Sequence, residues 1–529
     1  MIQNQFKIKK PLSNFFLIFF FVFAIFNSLH IGISWDEGAY LLLGQERLDY
    51  LLSLGFDKVK EPFWNSKYFP GVSHTISAFL ISFFPEEMEY EIFHLINLCI
   101  SIVTIFGVYK LSKELFNKDV AKILFLICLF YPIFFGHMSI NHNDMTVAMS
   151  NVWITFLVLK YLKYQTRTDK RNQEIIFLAV FLALGTGTRI VFFGTLLPII
   201  IFALLDIFFI KKLVNKKFSK INFFYDLIKI FLIFYLILII FWPQTHENIF
   251  QIPYKFLIES MNNTGYGWPA VLLNGQFYLS KDVPINYLLT NFLFKSPEYI
   301  LFLFFVSVIF ILINNSFFKK IFKNFNYKLL IVSIVFIFPT VLMYFGSLLV
   351  YDGIRLFLFL IPYILMIPAL GLYYIYKNLN LFYCKFLFFI FFLLTSFYLI
   401  KFINLIPYHY VHLNILAGES KNHEKKFEND YWGTSLKELI KDSIFLSKGN
   451  RIALCGVSSG TVDFYIKKYG FKKVNIVRVD EDYDFMIMTN RALVSDNLEN
   501  ASNCFMKYDG GIVKKVQRNG LTISKIIKK

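Results

Sequence analysis

Apolar residues in this chain come in long blocks separated by short polar stretches. Eleven blocks approach the ~20 residues that cross a bilayer as a helix. They cover 15–33, 92–108, 120–135, 147–162, 175–187, 190–210, 227–242, 299–313, 329–349, 354–372 and 387–403. The polar stretches between them alternate in charge. One set carries Lys110, Lys113, Lys118 and Lys122, then Lys160, Lys163, Arg167, Lys170 and Arg171, then Lys211, Lys212, Lys216 and Lys217, then Lys319, Lys320 and Lys323. The short stretches of the opposite set hold little that is basic beyond Arg189 and Arg355. Lys and Arg accumulate on the cytoplasmic side, so the pattern predicts a cytoplasmic N-terminus. An odd number of spans then puts everything after Ile403 outside.

Lys7, Lys9 and Lys10 before the first block imitate a signal peptide. The block runs past the usual length of such a core, with no A-x-A-like cleavage site after it, and is read as a retained anchor. Two external loops are large, 34–91 and 243–297. The first contains a shorter apolar piece, 72–84, expected to lie along the interface as an amphipathic helix.

After Ile403 charges appear throughout. "RIALCGV" and "FMIMTNRALV" read as buried strands. "GGIVKKVQRNGLTISKIIKK" reads as a hairpin turning at Asn519-Gly520, and "SLKELIKDSIFLS" has helical spacing. The expectation is a polytopic α-helical membrane protein of about eleven spans (residues 1–403), followed by a small extracytoplasmic α/β domain (404–529).

Composition agrees. Of 529 residues 56% are hydrophobic and only 17% charged, against about 25% charged in soluble domains. The net charge of +18 follows from cytoplasmic loops rich in Lys and Arg, so nucleic-acid binding is not inferred. Five cysteines (Cys99, Cys128, Cys384, Cys455, Cys504) show no metal-ligand spacing. Cys455 and Cys504 are free to pair if their domain is extracytoplasmic.

Four polar clusters fall on the external side. "ISWDEGAY" places Asp36 and Glu37 where the first span ends, although a charge near hydrocarbon costs about 2.5–3.5 kcal/mol on the lenient insertion scale. "SINHNDM" carries His142 and Asp144 in a short loop. "GTGTR" ends on Arg189, set either to snorkel toward lipid headgroups or to bind a ligand phosphate. "VYDGIR" holds Tyr351, Asp352 and Arg355, and its acid and guanidinium are able to pair with each other. Together they suit a substrate with a lipid tail, a phosphate and a polar head. Arginine holds phosphate bidentately, and a carboxylate takes a proton from an acceptor hydroxyl. Further acids leave a divalent cation open. There is no P-loop or GxGxxG for a nucleotide.

The order of "WDEGAY", "SINHNDM", "GTGTR", "WPAVLLNGQFY", "VPINYLLTNFLFKSPEY" and "YDGIRLFLFLIPY" resembles bacterial members of the protein O-mannosyltransferase and aminoarabinose transferase superfamily, membrane glycosyltransferases of the GT-C fold. "IPYHYVHLNILAG" and "FENDYWGTSLKEL" are similar to the tail of bacterial members of that group. The resemblance implies that Asp36, helped by Glu37 or Asp144, is the catalytic base toward the acceptor, and that Arg189 lies near the phosphate. "YDGIR" matches a motif that often reads Arg-His, and Leu356 stands here in place of the histidine. Lys67, in "WNSKYFPG", occupies the loop where relatives set basic and aromatic residues against the donor.

The implied reaction is transfer of a sugar from a polyprenyl-phosphate donor to an acceptor protein, lipid or glycan on the external, periplasmic face of a bacterial inner membrane, with inversion. The rivals are a lipid or sugar transporter (a flippase), whose charges belong near span centres, and a non-catalytic envelope-assembly protein.

Overall fold

The computed structural model describes residues 10–529 apart from 62, 64, 65, 263–266, 347, 448, 449, 473 and 495–497. Lys7 and Lys9 of the basic N-terminal run lie outside the described residues, as do Trp64 and Asn65 of "WNSKYFPG". All eleven apolar blocks fall on helices. Among the described residues seven helices are long and apolar enough to cross a membrane: Glu86–Leu115, His142–Tyr164, Ile190–Ile210, Lys220–Ile240, Phe325–Phe345, Arg355–Lys377 and Phe382–Asn404. An eighth is counted if Tyr287–Lys295 and Glu298–Ile313, bent by 119°, form one span. The remaining blocks lie on Lys10–His30, Lys118–Leu129 and Thr168–Thr188. The chain is an integral membrane protein.

The block expected at 120–135 is not one helix. It stops at Leu129 and restarts as Pro132–His137. Pro132 disfavours helical backbone in the residue before it, and Tyr131 is extended with φ −79° and ψ 114°. The piece expected to lie along the interface is a helix, Val72–Ile81, whose Ser73, His74, Thr75 and Ser77 are buried within the protein. The apolar run concealed a polar face turned inward.

The basic segments gather at one end of the helices. Lys163 pairs with Glu114 at 2.9 Å and Lys377 with Asp119 at 3.2 Å. The Lys328 amine donates to the Glu114 carbonyl, and Asn324 to that of Lys212. Buried Asp206 and Asp226 belong to this same end. Asp206 accepts the backbone N–H groups of Lys212, Leu213 and Val214, and Asp226 holds Tyr161 and Arg171.

At the other end a five-stranded sheet runs in the order Asn475–Val477, Arg451–Cys455, Phe485–Thr489, Leu521–Lys528, Gly511–Arg518. The first three strands are parallel, and the hairpin adds antiparallel at one side. Asn519 and Gly520 both take positive φ, as a tight two-residue hairpin turn requires. The helix Ser459–Lys468 follows the strand Arg451–Cys455. The stretch 435–447 is two short pieces, Leu436–Ile440 and Ile444–Ser447, broken where Asp442 adopts φ 63°. Cys455 and Cys504 form a disulfide.

This C-terminal part is seated on the helices. The Ile33 amide donates to the Tyr465 hydroxyl, and Lys437 donates to the carbonyls of Leu29 and Ile31. Gly136 lies so close to the Tyr410 backbone that any Cβ would collide with it.

Candidate active site

Each charged group of interest stands at a helix end on the side of the sheet. Asp36 is the N-cap of Glu37–Leu52, and its side chain is not used as a cap. It is left partly open, 29% exposed. Asp144 sits in the first turn of His142–Tyr164, where the helix dipole favours an anion. The Asn141 side chain caps that helix by accepting the Asp144 amide, and its Nδ2 donates to Asp144 Oδ2 at 3.0 Å. Arg189 follows the C-terminus of Thr168–Thr188. Asp352 and Gly353 both adopt left-handed backbone, φ 56° and 64°, and this turn sets Asp352 over Arg355.

Ion pairs tie these segments together. Arg189 reaches Asp144 at 3.1 Å. Arg355 donates to Asp36 Oδ2 at 3.2 Å and lies 2.9 Å from Asp352. Asp352 is also 2.6 Å from Arg491, which comes from beside the C-terminal sheet. The two contacts to Asp352 are close charge contacts off the hydrogen-bond axis. Arg355 is sandwiched by the rings of Trp432, at 4.5 Å, and Tyr351, at 5.1 Å. The Tyr40 phenol lies one turn beyond Asp36, within electrostatic reach of Asp36, Asp144, Arg189 and Arg355. Burial, and then the Asp36 carboxylate, push it well above its usual range, so Tyr40 remains a hydroxyl. Burial, the largest single influence, opposes the charge on Arg189, yet Asp144, Tyr40 and Tyr351 together outweigh it and the pKa of the guanidinium rises.

The structure therefore brings together Asp36, Asp144, Arg189, Tyr351, Asp352 and Arg355. It sets others apart. Glu37 is fully buried, accepts the Ser34 amide at 2.6 Å, and lies 3.0 Å from His94, away from the open side of Asp36. His142 bonds Asn97 and Ser73 and stacks on Phe93. Lys67 faces Glu259 at 3.9 Å and the rings of Tyr68 and Phe256. Among the described residues no group of three or more His, Cys, Asp or Glu is placed to hold a metal ion. Asp36, Asp144 and Asp352 are each paired with arginine instead.

Sequence reasoning missed Tyr40, Trp432 and Arg491, and with Arg491 the Trp268 ring and the Glu428 carboxylate that lie against it. Tyr40 had a signal, four residues after Asp36 at the start of a helix. Arg491 had none, because its place depends on how the C-terminal sheet docks. His137 is hydrogen-bonded to the Tyr431 hydroxyl and lies within electrostatic reach of Arg355.

Residues 76–244 match the family model of dolichyl-phosphate-mannose-protein mannosyltransferase. The chain is a membrane glycosyltransferase of the GT-C fold. No curated protein matches it in sequence. In fold this glycosyltransferase is similar to ArnT from Cupriavidus metallidurans in the apo state, with a TM-score of 0.52 and 11% identity over 97% of this chain and 98% of that one. It is equally similar to ArnT from Cupriavidus metallidurans bound to undecaprenyl phosphate, with a TM-score of 0.52 and 10% identity over 98% of each chain. The family match covers Asp144 and Arg189, whereas Asp36, Asp352 and Arg355 lie outside it.

Proposed function

We propose that this glycosyltransferase moves a sugar from a polyprenyl-phosphate donor to an acceptor hydroxyl or amine at the membrane surface, with inversion at the anomeric carbon. The observation that carries this reading is the convergence of Asp36, Asp144, Arg189 and Arg355 around one phenol, from four segments of which the outermost two are 319 residues apart. It fits the family match and the fold shared with a protein solved with undecaprenyl phosphate.

Asp36 is the acid with an open face, and it takes the proton from the acceptor. The acceptor atom then attacks the anomeric carbon. The bond from that carbon to the phosphate oxygen breaks, and its electron pair leaves with the phosphate. The growing negative charge there is met by guanidinium groups fixed beforehand, which is where such groups lower a barrier most. Arg189 is 24% exposed and Arg355 only 4%, so Arg189 meets the phosphate first and Arg355 acts from beneath. No other cofactor enters this scheme.

The site end is read as external and the basic end as cytoplasmic. The Cys455–Cys504 disulfide lies on the site side, and such bonds persist in oxidising compartments. The transporter reading is less favoured because these acids stand at helix ends rather than span centres, and the assembly reading leaves the paired charges without use. Mass spectrometry of glycans, glycolipids and glycoproteins from a deletion strain and from the same strain complemented with the wild-type gene tests the proposal. A glycan change restored by complementation supports it, and identical profiles overturn it.

A further inference from the structure

Arg491 lies just past the strand Phe485–Thr489, outside every membrane helix, yet it is 5% exposed and enclosed by groups from three other segments. Asp352 faces it at 2.6 Å and Glu428 at 3.8 Å. Its Nη1 donates to the Tyr431 carbonyl at 2.6 Å. Its guanidinium lies 4.3 Å over the ring of Trp268, from the second large external loop.

The backbone at this point is held as firmly as the side chain. Asn490 Oδ1 accepts the Asn429 amide, and Asn490 Nδ2 donates to the Phe427 carbonyl. The Ala492 amide donates to Glu428 Oε1, and Trp268 Nε1 donates to the Ala492 carbonyl. The Cys504 amide donates to the carbonyl of Arg491 itself, so the disulfide sits directly behind it.

The pairs form one line: Glu428, Arg491, Asp352, Arg355, Asp36. The first four are nearly covered, and only Asp36 opens outward. Asp352 is 1% exposed and stands between two guanidinium groups. With Arg491 gone, Arg355 alone would share Asp352, their pairing would tighten, and the hold of Arg355 on Asp36 would loosen. A buried charge stripped of a partner is strongly unfavourable, so the line responds by rearranging.

We propose that Arg491 is a positioning residue for the transfer site, holding Arg355 against Asp36 through Asp352, and that the C-terminal part thereby completes the site. This rests on the reading of Asp36 and Arg355 as the base and phosphate groups of the proposed function. The role of Arg491 is indirect, since it is nearly covered and reaches Asp36 only through Asp352 and Arg355.

The test uses purified full-length protein and two readouts. Trp432 lies against Arg355, so the Trp432 part of the intrinsic fluorescence, taken as the difference from a Trp432→Phe control, reports where Arg355 sits without any ligand. Tight binding of undecaprenyl phosphate, followed in the same samples, reports the phosphate site. Arg491→Met is expected to shift the Trp432 signal and to weaken undecaprenyl phosphate binding about ten-fold. Arg491→Lys, which keeps one charge opposite Asp352, is expected to recover most of both. A Trp432 signal in Arg491→Met equal to wild type overturns the inference, as does Arg491→Lys behaving like Arg491→Met. If Trp432 responds as expected while wild-type protein does not bind undecaprenyl phosphate, positioning stands and the donor reading falls. Should Arg491→Met fail to fold, Arg491→Lys paired with Asp352→Glu serves instead: a small Trp432 shift in each single variant, restored in the double, supports the coupling, and additive effects overturn it.

Discussion

Arg355 Nη1 lies 3.2 Å from Asp36 Oδ2, although 319 residues separate them in the chain. The contact joins the exit of the first helix to the entry of the span Arg355–Lys377, and it leaves the rest of the Asp36 carboxylate facing outward.

Asp36→Asn is expected to lower transfer by at least 100-fold, the lower end of what a general base contributes. The amide still accepts from Arg355, so yield in detergent and thermal midpoint are expected to stay near wild type. Transfer at the wild-type rate in this variant, measured on the glycan identified in the complemented strain, removes Asp36 from the role of base.

Arg189→Ala removes a partly open guanidinium and leaves Asp144, only 3% exposed, with Asn141 but without its arginine. The expected result is a donor KM raised about ten-fold or more, with acceptor preference unchanged. Arg189→Lys keeps a point charge but loses the planar fork that grips phosphate, and is expected to fall between the two. A change confined to acceptor preference contradicts the phosphate assignment.

His74 lies in a helix too short to span and is buried against Asn143 at 2.8 Å. Burial lowers it from 6.5 to about 3, and burial likewise takes His409 to about 3 and His412 to about 4. Each is neutral when folded and takes up its proton more readily when unfolded. Their contribution is therefore fully present above pH 6.5 and is lost as pH falls from there toward 3, by up to about 1.4 kcal/mol per pH unit for each histidine. The thermal midpoint is expected to drop between pH 7.5 and pH 5, and less steeply in His74→Gln. A midpoint independent of pH over that range contradicts this account.

Orientation is open to direct measurement. Single cysteines placed at Lys216 and Lys320, in a background lacking exposed Cys99, are expected to resist a membrane-impermeant thiol reagent in intact cells and to react in inverted vesicles. A cysteine at exposed Asp482 is expected to show the reverse. Labelling of all three from one side rules out the assigned topology.

Much of this molecule is written locally. Hydrophobic blocks of bilayer length dictate helices, because an unpaired backbone cannot sit in hydrocarbon. Lysine placement divides the loops into two faces, and the same lysines meet at one end of the fold. Asn519-Gly520 specifies its turn, since both residues tolerate positive φ. Even the break after Leu129 is announced by Pro132. The acids and arginines of four short motifs are visible in the same way.

What sequence spacing does not carry is direction and partnership. Asp36 and Glu37 are neighbours, yet one faces the site and the other is buried beside His94, because adjacent residues at a helix start point about 100° apart. Val72–Ile81 reads as an apolar strip, and only packing shows that Ser73 and His74 face Thr188 and Asn143. Arg491 and Trp432 enter the site solely because the C-terminal part docks over the helix ends, a contact made between surfaces far apart in the chain. Local pattern thus determined the membrane helices, their basic and site ends, and the candidate charges. The pairing of those charges, and the arginine that anchors them from outside the membrane, were decided by tertiary packing, since burial makes an ion pair strong only where geometry brings both partners together.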